Sequence, residues 1–145
     1  MLIHTKDYDF VEVREEDILD FPDGVYAFED RKQFVVLDTN SSAGIMQLQC
    51  SQAQTPRFFI LDPFLFVEDY APVVSEETLA KLKAKSQQDL TFFVIAVIPD
   101  NVGETTVNLK SPVVINFTER LGMQVMLDNP EYPVRFRLFD QERAG

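Results

Sequence analysis

Leu90-Thr91-Phe92-Phe93-Val94-Ile95-Ala96-Val97-Ile98 is the stretch that decides the fold class. It is the most apolar run in the chain and is rich in Phe, Val and Ile, the residues that fit a pleated, buried surface. It is far too short to span a bilayer, which needs about 20 residues. Pro99-Asp100-Asn101-Val102-Gly103 closes it with a hairpin-type loop. The stretch reads as a central β-strand.

The same grammar continues in both directions. Downstream, strands are expected over residues 105–109 and 113–117, split by Lys110-Ser111-Pro112, where Pro112 donates no ladder hydrogen bond and marks a break or an edge. Further strands are expected at 123–127, ended by Asn129-Pro130, and at 134–138. Upstream, residues 57–62 form a strand closed by Pro63, and 65–67 continue it in a new direction. Residues 45–51 alternate, with Ile45, Gln47 and Gln49 on one face and Met46, Leu48 and Cys50 on the other. Residues 39–44 are a polar loop, and 33–38 a strand with a buried Phe34-Val35-Val36-Leu37 centre. Phe21-Pro22-Asp23-Gly24 is a turn, because Pro presets φ and Gly accepts a positive one. Glu15-Glu16-Asp17 forms a helical turn or an acidic loop, and strands at 2–5 and 10–13 flank a turn at Asp7-Tyr8-Asp9.

One helix is expected near residues 76–85. Ser75 is its N-cap, Glu76 and Glu77 favour its first turn, and Lys81, Lys83 and Lys85 lie toward its C-terminus. About ten short strands with one helix give a mainly β class, a barrel or sandwich of mostly antiparallel strands.

The chain has 145 residues with 46% hydrophobic side chains, the composition of one globular domain over residues 1–145, with 140–145 frayed. Such a chain buries roughly 70% of its unfolded surface. Thirteen basic against 24 acidic residues give a net charge of −11. That charge excludes general binding to nucleic acid, which rests on Lys and Arg displacing counterions. It disfavours anionic membranes for the same reason. A basic protein partner is its complement.

Little here suggests catalysis. Cys50 is the one cysteine, which excludes an internal disulfide and reads as a buried core residue. His4 is the one histidine and reads as an exposed or edge-strand residue; zinc sites of His and Cys need three or four ligands. The acidic pairs Glu15-Glu16, Glu68-Asp69 and Glu76-Glu77 read as solvated surface, since neighbours along a strand point to opposite faces. The five glycines are scattered and form no phosphate loop. Thirteen Phe and four Tyr are mostly core, and Phe58-Phe59 and Phe92-Phe93 sit among aliphatics rather than between basic residues. Phe64 and Phe66, beside Pro63 and Glu68-Asp69, instead suit an exposed patch on which a partner docks. No cofactor or metal is expected. With no export signal and no disulfide, the cytoplasm is the expected compartment.

Five stretches in order resemble the FliW family of flagellar assembly factors. They are Glu12-Val13-Arg14-Glu15-Glu16-Asp17-Ile18-Leu19-Asp20-Phe21-Pro22-Asp23-Gly24 with Phe28-Glu29-Asp30; Leu48-Gln49-Cys50; Asp62-Pro63-Phe64 with Asp69-Tyr70; Thr106-Val107-Asn108-Leu109-Lys110-Ser111-Pro112-Val113-Val114-Ile115-Asn116; and Gly122-Met123-Gln124-Val125 with Tyr132-Pro133-Val134-Arg135. Four positions depart from the pattern: Tyr26-Ala27 replaces a common Pro-Gly, Cys50 a Ser, and Phe136 a His. The resemblance implies a compact β-barrel-like protein without enzymatic activity. It implies binding to CsrA, a dimeric RNA-binding regulator, and relief of its repression of flagellin translation. It also implies chaperone-like binding to flagellin: abundant flagellin sequesters the factor and leaves CsrA free to repress. The free protein is expected to be a monomer. Partner contacts are expected at Phe64, Glu68, Asp69 and Tyr70 after the Asp62-Pro63 turn, at Glu76 and Glu77, and at Asn108 and Asn116. For the two asparagines, bonding to backbone at sheet ends is the competing role. The alternative class is a small-ligand barrel, or an enzyme using carboxylates in a barrel mouth.

Overall fold

The computed structural model describes residues 1–38 and 44–139. The expected loop at 39–44, Gly44 apart, and the expected fraying of 140–145 lie outside the described residues. Eleven strands are described: β1 (Leu2–His4), β2 (Phe10–Glu12), β3 (Leu19–Asp20), β4 (Gln33–Asp38), β5 (Ile45–Cys50), β6 (Arg57–Leu61), β7 (Thr91–Val97), β8 (Thr106–Val107), β9 (Val113–Asn116), β10 (Leu121–Gln124) and β11 (Phe136–Arg137). One α-helix, α1 (Glu76–Lys81), stands outside the sheet.

Seven strands close a barrel in the order β7-β6-β5-β4-β3-β10-β9, with β9 returning to β7. All neighbours are antiparallel except β3 and β10. Strands β8 and β11 extend the sheet from the far end of β7, and β1-β2 form a separate hairpin. Strand β7 can serve both β8 and β9 because the partner chain bulges. Ala96 faces Val107 and Phe93 faces Val113, so three residues of β7 span six of its partner. Pro112 lies at this break.

The continuous apolar character of β7 has a direct cause: both of its faces are buried. Phe93 and Ile95 point into the barrel with Phe21, Phe34, Leu48 and Ile115. Phe92, Val94 and Ala96 point outward into a second core with Leu82, Leu109, Leu127 and Leu138. The second core is roofed by the segment carrying α1 and by the chain after β10. Inside the barrel the packing is close. A Cβ on Gly122 would lie 2.5 Å from the Phe21 ring, so only glycine fits there.

The N-terminal hairpin covers a third cluster, in which Ile3 and Val13 pack on Val35. It also explains β5. The Gln47 and Gln49 face is buried, not solvated. Gln49 Oε1 accepts from the Lys6 amide at 3.2 Å, and its Nε2 donates to the carbonyls of Cys50 and Gln54. One carboxamide thereby ties the hairpin to the loop after β5.

Three expectations are corrected, and one strand has no sequence signal. Residues 65–67 do not continue a strand. Pro63–Leu65 is a 3₁₀ turn, started by Asp62, whose carboxylate accepts from the Phe64 amide at 2.9 Å, with Pro63 at its first position. The helix ends at Lys81, not Lys85, because Lys83 turns left-handed at φ 54° and Asn116 captures the Leu82 carbonyl. The strand expected at 123–127 is paired at Leu121–Gln124; Val125 and Leu127 instead bond the carbonyls of Pro112 and Lys110. Strand β3, two residues long, is too short to show alternation.

Gly24 adopts φ 68° in the Phe21–Gly24 turn, as its sequence requires. Ala27, standing where the resemblance expects glycine, adopts φ 73°. A left-handed residue with a Cβ costs about 1–2 kcal/mol. Ala27→Gly is therefore expected to raise stability by about 0.5–1 kcal/mol, after the entropy glycine adds to the unfolded chain. Urea denaturation of the two proteins checks this; a lower midpoint for the variant contradicts it.

Candidate functional site

The expected contact residues fall on one stretch and two outliers. After β6 the chain leaves the barrel wall at Asp62 and crosses the second core as far as Ser75. The Phe64 ring is 51% exposed, packed edge-on to Phe92 at 6.2 Å and tilted on Tyr70 at 5.8 Å. Glu68 and Asp69 follow, both exposed. Gln87 secures the end of the stretch: its Oε1 accepts from the Val74 amide at 3.1 Å and its Nε2 donates to the Pro72 carbonyl at 2.8 Å. Ser75 then caps α1 by accepting from the Thr78 amide, which leaves Glu76 and Glu77 exposed in the first turn. Glu77 pairs with Lys81 at 3.7 Å. The acidic pairs therefore sit on a turn and a helix, not on strands.

Tyr70 is different. It is only 4% exposed, and its hydroxyl donates to the Leu109 carbonyl at 2.8 Å. Burial, with Tyr132 adding, pushes that hydroxyl well above its ordinary pKa, so it keeps its proton and its bond at any ordinary pH. The Tyr132 ring lies 4.8 Å away, and its hydroxyl accepts from the Ala71 amide. Tyr70 thus holds the crossing stretch to the barrel and shows a partner almost no surface.

The two asparagines are also internal braces. Asn116 is buried; its Nδ2 donates to the Leu82 carbonyl at 2.8 Å, which clasps the end of α1 to β9. Asn108 Oδ1 accepts from the Ser111 amide at 2.9 Å within the bulge. Gln124, a residue the sequence reading left unassigned, joins two distant loops: its Oε1 accepts from the Tyr26 amide and its Nε2 donates to the Ser111 carbonyl, both at 3.0 Å. Of the expected contacts, Phe64, Glu68, Asp69, Glu76 and Glu77 remain as surface groups. Tyr70, Asn108 and Asn116 spend their polar atoms on the protein's own backbone.

A second feature was not foreseen. On the other side of the Pro63–Leu65 turn, Leu61, Leu65, Phe66, Ile98, Val102 and Leu138 help line an apolar groove of about 420 Å³. Of its lining, Leu65 and Phe66 fall in the stretch expected as a strand, and Phe66 is also expected with Phe64 in an exposed docking patch; in the structure Phe66 is half-buried. No group of three or more His, Cys, Asp or Glu among the described residues is arranged to hold a metal. No helix among them is long and apolar enough to cross a membrane.

This arrangement defines a class: a small closed β-barrel with a filled interior, an outer second core and an acidic outer stretch. Within that class, the chain belongs to the FliW family, whose family profile (FliW protein) matches residues 2–138. It is 38% identical to the flagellar assembly factor FliW of Caldicellulosiruptor saccharolyticus over 139 residues, covering 96% of this chain and 91% of that one. It is 35% identical to the flagellar assembly factor FliW of Geobacillus kaustophilus over 144 residues, covering 99% of each. A crystal structure of the flagellar assembly factor FliW superposes with a TM-score of 0.90 at 34% identity, covering 96% of this chain and 97% of the other.

One ion pair beneath the hairpin makes a test of the architecture. Arg57 donates to both carboxylate oxygens of Asp7, at 2.6 and 3.3 Å, and lies over the Phe59 ring. Those hydrogen bonds hold the Asp7 pKa below the usual carboxylate value, against the opposing effect of burial. The folded pKa is thus below the unfolded one. The pair's contribution is present above the unfolded value, about 3.9, and is lost as pH falls through the folded one. Asp7→Asn should cost about 1 kcal/mol at pH 7, and the gap to the parent should close on acidification below pH ~4. Denaturation of both proteins across that range reads it; a gap constant with pH contradicts the pairing.

Proposed function

We propose that this chain is a non-enzymatic factor of flagellar assembly that acts in the cytoplasm by binding proteins. In this reading, one domain, monomeric when free, binds the translational regulator CsrA and antagonises its repression of flagellin mRNA. It also binds flagellin in a chaperone-like way. The observation that carries the reading is the family membership over nearly the whole chain, with relatives named as flagellar assembly factors.

The physics of the surface supports the same reading. At a net charge of −11 the chain complements a basic RNA-binding protein and repels both RNA phosphates and copies of itself. Glu68, Asp69, Glu76 and Glu77 supply exposed charge at one side of the second core. The alternative of a ligand-binding barrel loses ground because Phe21, Phe34, Leu48, Cys50, Ile60 and Ile115 fill the interior.

Affinity for purified CsrA is expected to fall steeply as salt rises from low to physiological concentration. Charge reversal at Glu68, Asp69, Glu76 and Glu77 together should weaken it by at least about tenfold, mostly through the association rate. Binding unaffected by salt and by the four reversals would sink the electrostatic account.

A further inference from the structure

We propose that the apolar groove beside the Pro63–Leu65 turn is the docking site for an amphipathic helix of a protein partner, apolar on one face and basic on its flanks. This rests on the reading above that the chain acts by binding proteins, and it names where one such partner segment sits.

The lining settles the apolar half. Leu61, Phe66, Ile98 and Leu138 form part of the floor, while Leu65 and Val102 stand at the rim, 71% and 58% exposed. Among the lining residues, Thr105 carries the one polar side chain, and its hydroxyl already donates to the Val102 carbonyl at 2.7 Å. An occupant therefore finds no side-chain partner there for its own polar groups. A small polar ligand is poorly served, since such sites orient their ligands by placed polar groups. An extended peptide would bring unpaired amides and carbonyls. A helix satisfies its backbone internally and needs only apolar anchors on one face.

The charge decides the rest. The two segments that make most of the wall, residues 61–66 and 98–105, carry Asp62, Asp100 and Glu104 and no Lys or Arg, and Arg137 precedes the lining residue Leu138. An acidic frame around an apolar floor selects a cationic amphipath. It disfavours a second copy of this chain and an anionic lipid surface. The chain's own neighbouring segments do not suit the groove either. Thr39-Asn40-Ser41-Ser42-Ala43 and Asp140-Gln141-Glu142-Arg143-Ala144-Gly145 contain no apolar side chain larger than Ala.

The probe is a short fluorescent Leu/Lys amphipathic helix, with a Leu/Glu helix of the same apolar pattern as control, titrated into the full chain. The Leu/Lys helix should bind and shift the amide resonances of Leu65, Ile98, Val102 and Leu138. Leu65→Gln with Val102→Gln, both at the solvent rim, should weaken it by at least about tenfold with the thermal midpoint unchanged. Glu104→Gln should weaken it less and reduce its salt dependence. Equal binding of the Leu/Glu helix, shifts centred elsewhere, or concentration-dependent self-association through these residues would overturn the proposal. Parallel titrations with CsrA and flagellin separate the two readings. If the native chain binds either partner while the rim variants weaken neither helix nor partner, the groove assignment falls and the protein-binding reading stands. If the helix binds at the groove and neither partner binds, the groove stands and the partner assignment falls.

Discussion

Strand β7 is packed on both faces and shares one edge between two neighbours, and the rest of the molecule is arranged around that constraint. Its odd-numbered core residues Phe93 and Ile95 complete the barrel interior, while Phe92, Val94 and Ala96 complete the outer core. Between its exposed ends Thr91 and Val97 the strand has no solvent face to carry polar residues, so residues 92–96 are an unbroken apolar run. The shared edge forces the three-residue bulge between β8 and β9. That bulge leaves backbone groups without ladder partners, and buried backbone groups must be satisfied. Asn108, Gln124 and Tyr70 answer that need by bonding Ser111 and Leu109.

These side chains bear directly on function. Asn108, Asn116, Tyr70, Gln49 and Gln124 are the polar residues that stand out in the motifs, and each is engaged with main chain, Asn108 within its own bulge and the other four also with distant segments. In a mainly apolar interior such bonds are costly to break, because the abandoned partner stays buried. The motifs therefore record how the barrel is closed and how the crossing stretch is fastened to it. The surface proposed for recognition lies outside the barrel: exposed carboxylates at 68–69 and 76–77, the Phe64 ring, and the apolar groove on the far side of the same turn.

The fold was legible where one element had one local cause. Strand β4 matched its expected limits because its apolar centre is bounded by polar residues. Ser75 and its two following glutamates marked the start of α1. Its end was not legible, since Asn116, 34 residues away, supplies the bond that stops it. Strand β5 showed its alternation but not its burial, because the glutamine face is covered by a hairpin from the other end of the chain. The site divides the same way. Glu68, Asp69, Glu76 and Glu77 could be placed on the surface from charge alone. Tyr70 and Asn116 could not be told from contacts, because their partners are backbone atoms that composition does not reveal. The groove was legible only at Phe66, since segments from four parts of the chain meet to form it.

The central claim is that partners are recognised on the outer stretch and its adjoining groove, with the barrel left undisturbed. Amide hydrogen exchange of the full chain, free and saturated with CsrA or flagellin, tests this most directly. The account expects new protection confined to residues 62–77 and 97–105, with β4, β5 and the N-terminal hairpin unchanged. Protection centred on the hairpin or the barrel strands, with residues 62–77 and 97–105 unaffected by both partners, would contradict it.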